Sequence, residues 1–401
     1  MDVEDLRSEM VARVDALAPT LIEISRDIHA HPELRYEEHH AHSVLTAALG
    51  DAGVDVTPGA FGLDTAFDAV VGAEGPTIAV CLEYDALPGV GHACGHNVIA
   101  AAGLGAGLAA AALASDAGGR VRILGTPAEE GGAGKAYMID RGALDGVDAA
   151  MMVHPADADL LSMDAIAAVT MEVEWFGEGA HAAAYPHLGR NALDAAVLAY
   201  VNIGALRQHI EATDRVHGIF TDGGRKPNIV PSHAAMEWMV RSAGADGLAP
   251  LQERVVACFE AGATATGCRC EHRVAYRPYD EMVDNPALGA LFAANAASVG
   301  RHLTDPRTSG TRVVGSTDMG NVSKVVPSIH PMLQVAPRGV SIHTDDFARF
   351  AGGPEGDRAV VDGAKAMAMT IADLWARPGA LDGVRAGFTP LGAADGDDRR
   401  R

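Results

Sequence analysis

The chain has 401 residues, 48% hydrophobic and only 5% aromatic; it exceeds what one core usually supports and predicts an aliphatic α/β enzyme with two domains or an insertion, not a disordered chain. A formal net charge of −22 argues against nucleic acid or an anionic membrane as the main partner, because both require clustered Lys and Arg. Five cysteines without a C-x-x-C pair, an acidic N-terminus without a signal pattern and no run resembling a membrane span predict a cytoplasmic protein with reduced thiols.

In chain order, apolar residues at Leu6, Met10, Val14, Leu17, Leu21, Ile24 and Ile28 predict a helix over 4–30 that breaks near Pro19. A second helix covers 38–52. Short β-runs follow at 77–82, 121–125 and 149–153, each leading into polar residues, and the small-residue stretch 97–114 reads as a buried helix. That alternation predicts a central sheet flanked by helices. Between 165 and 280 the rhythm changes to strand 169–176, helix 190–210, strands 216–221 and 234–240, helix 246–263 with Pro250 in its first turn, and strand 269–276. This βαββαβ order predicts an α+β, ferredoxin-like domain inserted into the first. A helix at 285–298, a strand at 328–335 and a helix at 357–375 return to the first domain. The expected organisation is a catalytic domain from 1–164 and 281–390, an inserted domain at 165–280, and a polar tail at 391–401.

The run His92-Ala93-Cys94-Gly95-His96 carries the strongest chemical signal, since thiolate and imidazole are the usual ligands of a borderline-soft divalent metal. In isolation it equally describes a buried cysteine beside an ordinary histidine. The rest of the sequence adds Glu129-Glu130 at a strand end, His154 closing an apolar run, and His343 in SIHTDD. Adjacent carboxylates repel, and the strain is relieved if one binds a cation while the other handles protons. Cys94, His96, Glu130, His154 and His343 exceed what a closed tetrahedral site needs, which favours two metals. Asp85 is placed to orient a ligand histidine, whereas Glu83 and His92 receive no role. The cluster His29, His31, His39, His40 and His42, and the pair Cys268 and Cys270, take a structural reading.

Taken together, DIHAHPEL, EYDALPG, GHACGHN, TPAEEGGAGK, MMVHP, GAHAAAYP, NIVP and SIHTDDF resemble the metallo-amidohydrolases of the aminoacylase and carboxypeptidase superfamily. Within it the chain is similar to the Cys-Gly-His subgroup of N-acyl-amino-acid amidohydrolases, and its Asn97 and Glu83-Tyr84-Asp85 resemble the branch of p-aminobenzoyl-glutamate hydrolase and related dipeptidases. The resemblance implies a dinuclear Zn or Mn site, with Co possible, and a lid or dimerisation domain in a homodimer or higher homo-oligomer. Its ligands would be Cys94, His96, Glu130, His154 and His343, with Glu129 as general base and His181 as the contact to the scissile carbonyl, often across a dimer interface. Asn228 and Arg241 lie on the expected lid, where Arg241 is suited to grip the free carboxylate of a small amide substrate. The expected reaction is hydrolysis of an N-acyl-amino acid or aminobenzoyl-glutamate-like amide, or of a small dipeptide at the same centre. A cysteine hydrolase with Cys94 as nucleophile and His96 as base, and a non-catalytic scaffold, are the readings from other classes.

Overall fold

An unbroken apolar run such as Thr77–Leu82 has no solvent face, and it forms the middle of a sheet covered on both sides. In the computed structural model, which describes residues 1–306 and 314–389, β1 (Thr57–Pro58), β2 (Phe67–Val71), β3 (Thr77–Leu82), β4 (Arg120–Gly125), β5 (Ala149–Met151) and Ser328–Ile329 form a six-stranded sheet. Their order is β1-β2-β4-β3-β5 followed by Ser328–Ile329. β3 is parallel to β4 and β5, while β2 runs antiparallel to β4. Residues up to Asp164 and those from Met282 onward make one compact unit, and Ala165–Glu281 makes a second. The expected tail at 391–401 lies outside the described residues.

In the first unit Ile78, Val80 and Leu82 pack with α1 (Val3–Ala30), α3 (His96–Ala111) and the helix Pro354–Ala376, whereas Ala79 and Cys81 face Met138, Met319 and Val322. The alternation of a strand thus feeds two separate cores. Between α1 and α3 in sequence, α2 (His39–Asp51) adds Ala41, Leu45 and Leu49 to the first core. α3 lies close to the sheet because it is made of small residues: a Cβ at Gly103 would stand 2.8 Å from Leu82 and one at Gly107 2.7 Å from Ile123.

Three expectations are corrected. α1 does not break at Pro19, which lies on the exposed side of the helix, where no packed neighbour is displaced by its ring. Pro250 sits inside the helix Ala245–Thr266, beyond its first turn. The strand expected at 328–335 is two, because Pro331 offers no N–H: Ser328–Ile329 pairs with β5, and Met332–Gln334 pairs in parallel with β6 (His154–Ala156).

The second unit runs Ala167–Phe176, helix Ala192–Leu206, Arg215–Asp222, His233–Ser242, helix Ala245–Thr266, Arg269–Val274. Its antiparallel sheet has Arg269–Val274 at one edge and Arg215–Asp222 at the other, with Ala167–Phe176 and His233–Ser242 between them. Alternate residues Val169, Met171, Val173 and Trp175 join Met236, Trp238 and Val240 under Val255 and Phe259 of the second helix. Replacing Gly107 by Val in the first unit is expected to lower stability by about 1–3 kcal/mol through overpacking against Ile123. Urea denaturation monitored by circular dichroism checks this as a lower midpoint at unchanged slope.

Candidate metal centre

Parallel strands deliver their side chains to one end of the sheet. β3 runs into Glu83-Tyr84-Asp85, β4 into Thr126, Pro127, Ala128 and the Glu129-Glu130 pair, and β5 and β6 meet at His154, which is where open α/β sheets build their sites. Between Cys94 and His96 the backbone must turn to start α3. Gly95 does this at φ 80°, and any Cβ there would stand 2.8 Å from the Pro155 ring. Ala128 at φ 60° begins the turn holding the two glutamates, a conformation that a non-glycine residue adopts only when its surroundings enforce it. Glu38 Oε1 enforces it by accepting the Ala128 N–H at 2.9 Å, and Asp85 Oδ2 accepts the Glu130 N–H at 2.8 Å. His343, itself at φ 66°, donates its backbone N–H to Ala93 at 2.8 Å, which brings the late SIHTDD segment to the HACGH turn.

The donor atoms converge. Cys94 Sγ lies 3.4 Å from His154 Nε2, and His343 Nε2 lies 3.2 Å from Glu130 Oε1. His96 Nε2 is 3.9 Å from Glu129 Oε2 and 4.0 Å from Glu130 Oε1. Ligand atoms of Cys94, His96 and His154 fall within 4.8 Å of one another, as do those of Cys94, Glu130 and His343, so Cys94 belongs to both sets. These residues fit a metal by their chemistry and by what they leave open. His96 Nδ1–H donates to Asp85 Oδ1 at 3.0 Å, which turns the Nε2 lone pair toward the other donors, and that buried nitrogen has no hydrogen-bond partner among the described residues.

Charge follows burial. Burial opposes the Asp85 carboxylate, but His96 and the Glu130 N–H outweigh it and hold Asp85 below the ordinary carboxylate range. Burial pushes His154 down to about 4, so its imidazole is neutral and free to bind a cation. Burial, reinforced by Glu130, holds the Cys94 thiol well above its ordinary value. A thiol in that state is a poor nucleophile and becomes a thiolate when a nearby positive charge compensates it, which disfavours the cysteine-hydrolase reading. Burial and then the Glu130 and Glu83 carboxylates raise Glu129 well above its usual value, the behaviour of a group suited to carry a proton.

Of the residues singled out in the sequence, Asp85, Cys94, His96, Glu129, Glu130, His154 and His343 come together in the first unit. His181, Asn228 and Arg241 all lie in the second. There Ala182 N–H donates to the Asn228 carbonyl at 3.1 Å, and His181 Nδ1 accepts the N–H groups of Ala183 and Ala184 at 3.3 and 3.2 Å. Arg241 is half-buried on His233–Ser242, with Nη2 2.9 Å from Met239 Sδ. The N-terminal histidines stay outside the donor set: His29 bonds to the Ala348 carbonyl, and His31 and His40 contact Asp27. Sequence reasoning passed over Glu38, the buried His330 whose ring centroid is 5.2 Å from that of His154, and the buried pair Lys135 and Asp318. Lys135 was visible in TPAEEGGAGK, where a lysine beside two acids signals charge compensation; Asp318 and His330 carry no local pattern.

A model of the family described as Peptidase family M20/M25/M40 matches residues 63–373. The chain is 39% identical over 402 residues to the Xaa-Arg dipeptidase of Mus musculus, covering 96% of this chain and 93% of that protein. It is 36% identical to a p-aminobenzoyl-glutamate hydrolase polypeptide of Escherichia coli over 63% of this chain and 56% of that one. Its fold is shared with the aminobenzoyl-glutamate utilization protein of Klebsiella pneumoniae, at TM-score 0.74 and 22% identity over 91% of this chain and 98% of that one. A dinuclear metal binding peptidase of Bacillus subtilis superposes at TM-score 0.66 and 20% identity over 89% and 98%. With a family model spanning most of its length and a relative aligned almost end to end, this chain belongs to the peptidase family M20/M25/M40 and is a hydrolytic enzyme acting on amide bonds.

Proposed function

We propose that the chain hydrolyses the amide bond of a small substrate with a free carboxylate at a dinuclear centre in which Cys94, His96, Glu130, His154 and His343 hold two divalent ions, Zn or Mn, with Co also accommodated. The observation that carries this reading is the sharing of Cys94 between two converging donor sets. When bound, the ions supply Lewis acidity at the scissile carbonyl. Glu129 takes the proton of the attacking water and returns it to the leaving amine. Asp85 holds His96 in the tautomer that offers Nε2.

Support for the remaining roles comes from the second unit. Because His181 Nδ1 accepts two backbone N–H groups, its proton sits on Nε2, where it can donate to a developing oxyanion. Arg241 offers a guanidinium for the substrate carboxylate, and Asn228 lies on the loop joined to that of His181. The βαββαβ order and its strand arrangement support a ferredoxin-like lid or dimerisation domain in a homodimer. The edge strand Arg215–Asp222 exposes Ile219 and Phe220, and the neighbouring helix exposes Val197 and Val201, an apolar surface suited to a second copy. Five cysteines free of disulfides suit a cytoplasmic setting, and no described helix is long and apolar enough to cross a membrane. Among substrates a dipeptide is favoured over aminobenzoyl-glutamate, because the Xaa-Arg dipeptidase aligns over 93% of its length and the aminobenzoyl-glutamate hydrolase over 56%.

Dialysis against a chelator is expected to abolish turnover of an Xaa-Arg dipeptide, with Zn, Mn or Co restoring it; activity that survives complete metal removal, measured by elemental analysis, overturns the reading. Glu129→Gln should lower kcat by about 10²–10⁴-fold while leaving metal content intact. Arg241→Ala should act on KM for carboxylate-bearing substrates with kcat little changed, and an unchanged KM removes that assignment.

A further inference from the structure

Glu83 and Lys135 have no part in the chemistry assigned to Glu129, yet both are buried against the donor set. A lysine side chain that is 2% exposed needs its charge compensated. Lys135 Nζ pairs with Glu83 Oε1 and, at 2.7 Å, with Asp318 Oδ1, while its backbone N–H donates to Asp318 Oδ2 at 2.8 Å. Two carboxylates around one ammonium leave a negative charge over. That charge is not solvated: Glu83 Oε2 is buried, has no hydrogen-bond partner among the described residues, and stands 3.6 Å from His96 Nε2.

His96 Nδ1–H is committed to Asp85, so it is Nε2 that faces the Glu83 oxygen, and neither of these two buried atoms has a hydrogen-bond partner among the described residues. An imidazole nitrogen and a carboxylate oxygen aimed at each other in this way can both bind one divalent cation placed between them. A separation of 3.6 Å suits two donors on one ion at bond lengths of about 2.0–2.2 Å. The ligand atoms of Glu83, His96 and Glu129 form one cluster within 4.8 Å. We propose that Glu83, through Oε2, is a further ligand of the divalent ion held by His96, and that Lys135, anchored by Asp318, is the positioning residue that turns Oε2 toward that ion. This rests on the metal-dependent reading of the site. It also gives a reason for glutamate at this position, since aspartate would withdraw the oxygen by one carbon–carbon bond, about 1.5 Å.

Equilibrium Co(II) titration of the full chain, followed by the visible absorption of the bound ion, tests the proposal in the wild type and in Glu83→Gln, Glu83→Asp, Lys135→Met and Lys135→Arg. Both Glu83 variants are expected to weaken one of two Co(II) sites at least tenfold and to alter its absorption band. Lys135→Met should weaken the same site about tenfold, with Lys135→Arg restoring most of the affinity. Glu83→Asp keeps the carboxylate that compensates Lys135 and carries the test if Glu83→Gln does not fold. Wild-type affinity with an unchanged band in a folded Glu83 variant overturns the proposal. A wild-type protein that binds no divalent ion overturns the metal-dependent reading as well, so the wild-type titration distinguishes the two failures.

Discussion

The candidate centre depends on Asp85, which uses both carboxylate oxygens on the donor set. Oδ1 fixes the tautomer and the ring plane of His96, and Oδ2 holds the Glu130 backbone, so one buried side chain sets the direction of an imidazole and of a carboxylate-bearing turn. Each bond is charge-assisted and lies where water cannot compete, which makes it stronger than its surface counterpart. Without it His96 could rotate and the Glu129-Glu130 turn would lose one of the side-chain anchors of its backbone, Glu38 being another.

Concentrating acids in this way has a cost in solvation, and the fold offsets it locally. Glu83, Asp85 and Asp318 are all essentially inaccessible to water. Lys135 answers two of them, and its ammonium is held above its ordinary pKa because Asp318 and Glu83 outweigh the burial that opposes its charge. Glu38 is treated differently: burial and the nearby Asp85 push it up to about 7, and it is held by the Tyr36 and Ala128 N–H groups and the Thr65 hydroxyl. Removing any one partner would strand a buried polar group, which is why such networks are fixed in geometry even where their net contribution to stability is small.

The sheet supplies the frame for this chemistry. Because β3, β4 and β5 are parallel neighbours, three separate sequence segments open at one end of the sheet, and the glycines of α3 allow the helix that begins with His96 to lie directly on it. A bulkier α3 would lift His96 away from the strand ends. Packing of small residues is therefore tied to the position of a functional atom.

Composition, motif order and periodicity determined much of this protein by themselves. The apolar run of β3, the buried small-residue helix and the βαββαβ order of the second unit are local patterns; the donors Glu130 and His154 sit by strand ends, and Cys94 and His96 at the start of that helix, places that such patterns reveal. Only the tertiary structure decided what rests on contacts distant in sequence. Pro19 is tolerated because it faces water, and Pro331 divides one expected strand between two partners. His343 reaches Ala93 across the length of the chain, and Lys135 finds Asp318, a pairing that no periodicity encodes. Hydrophobic period and ligand chemistry are written in neighbouring residues; burial and charge compensation are properties of the space that distant segments enclose together.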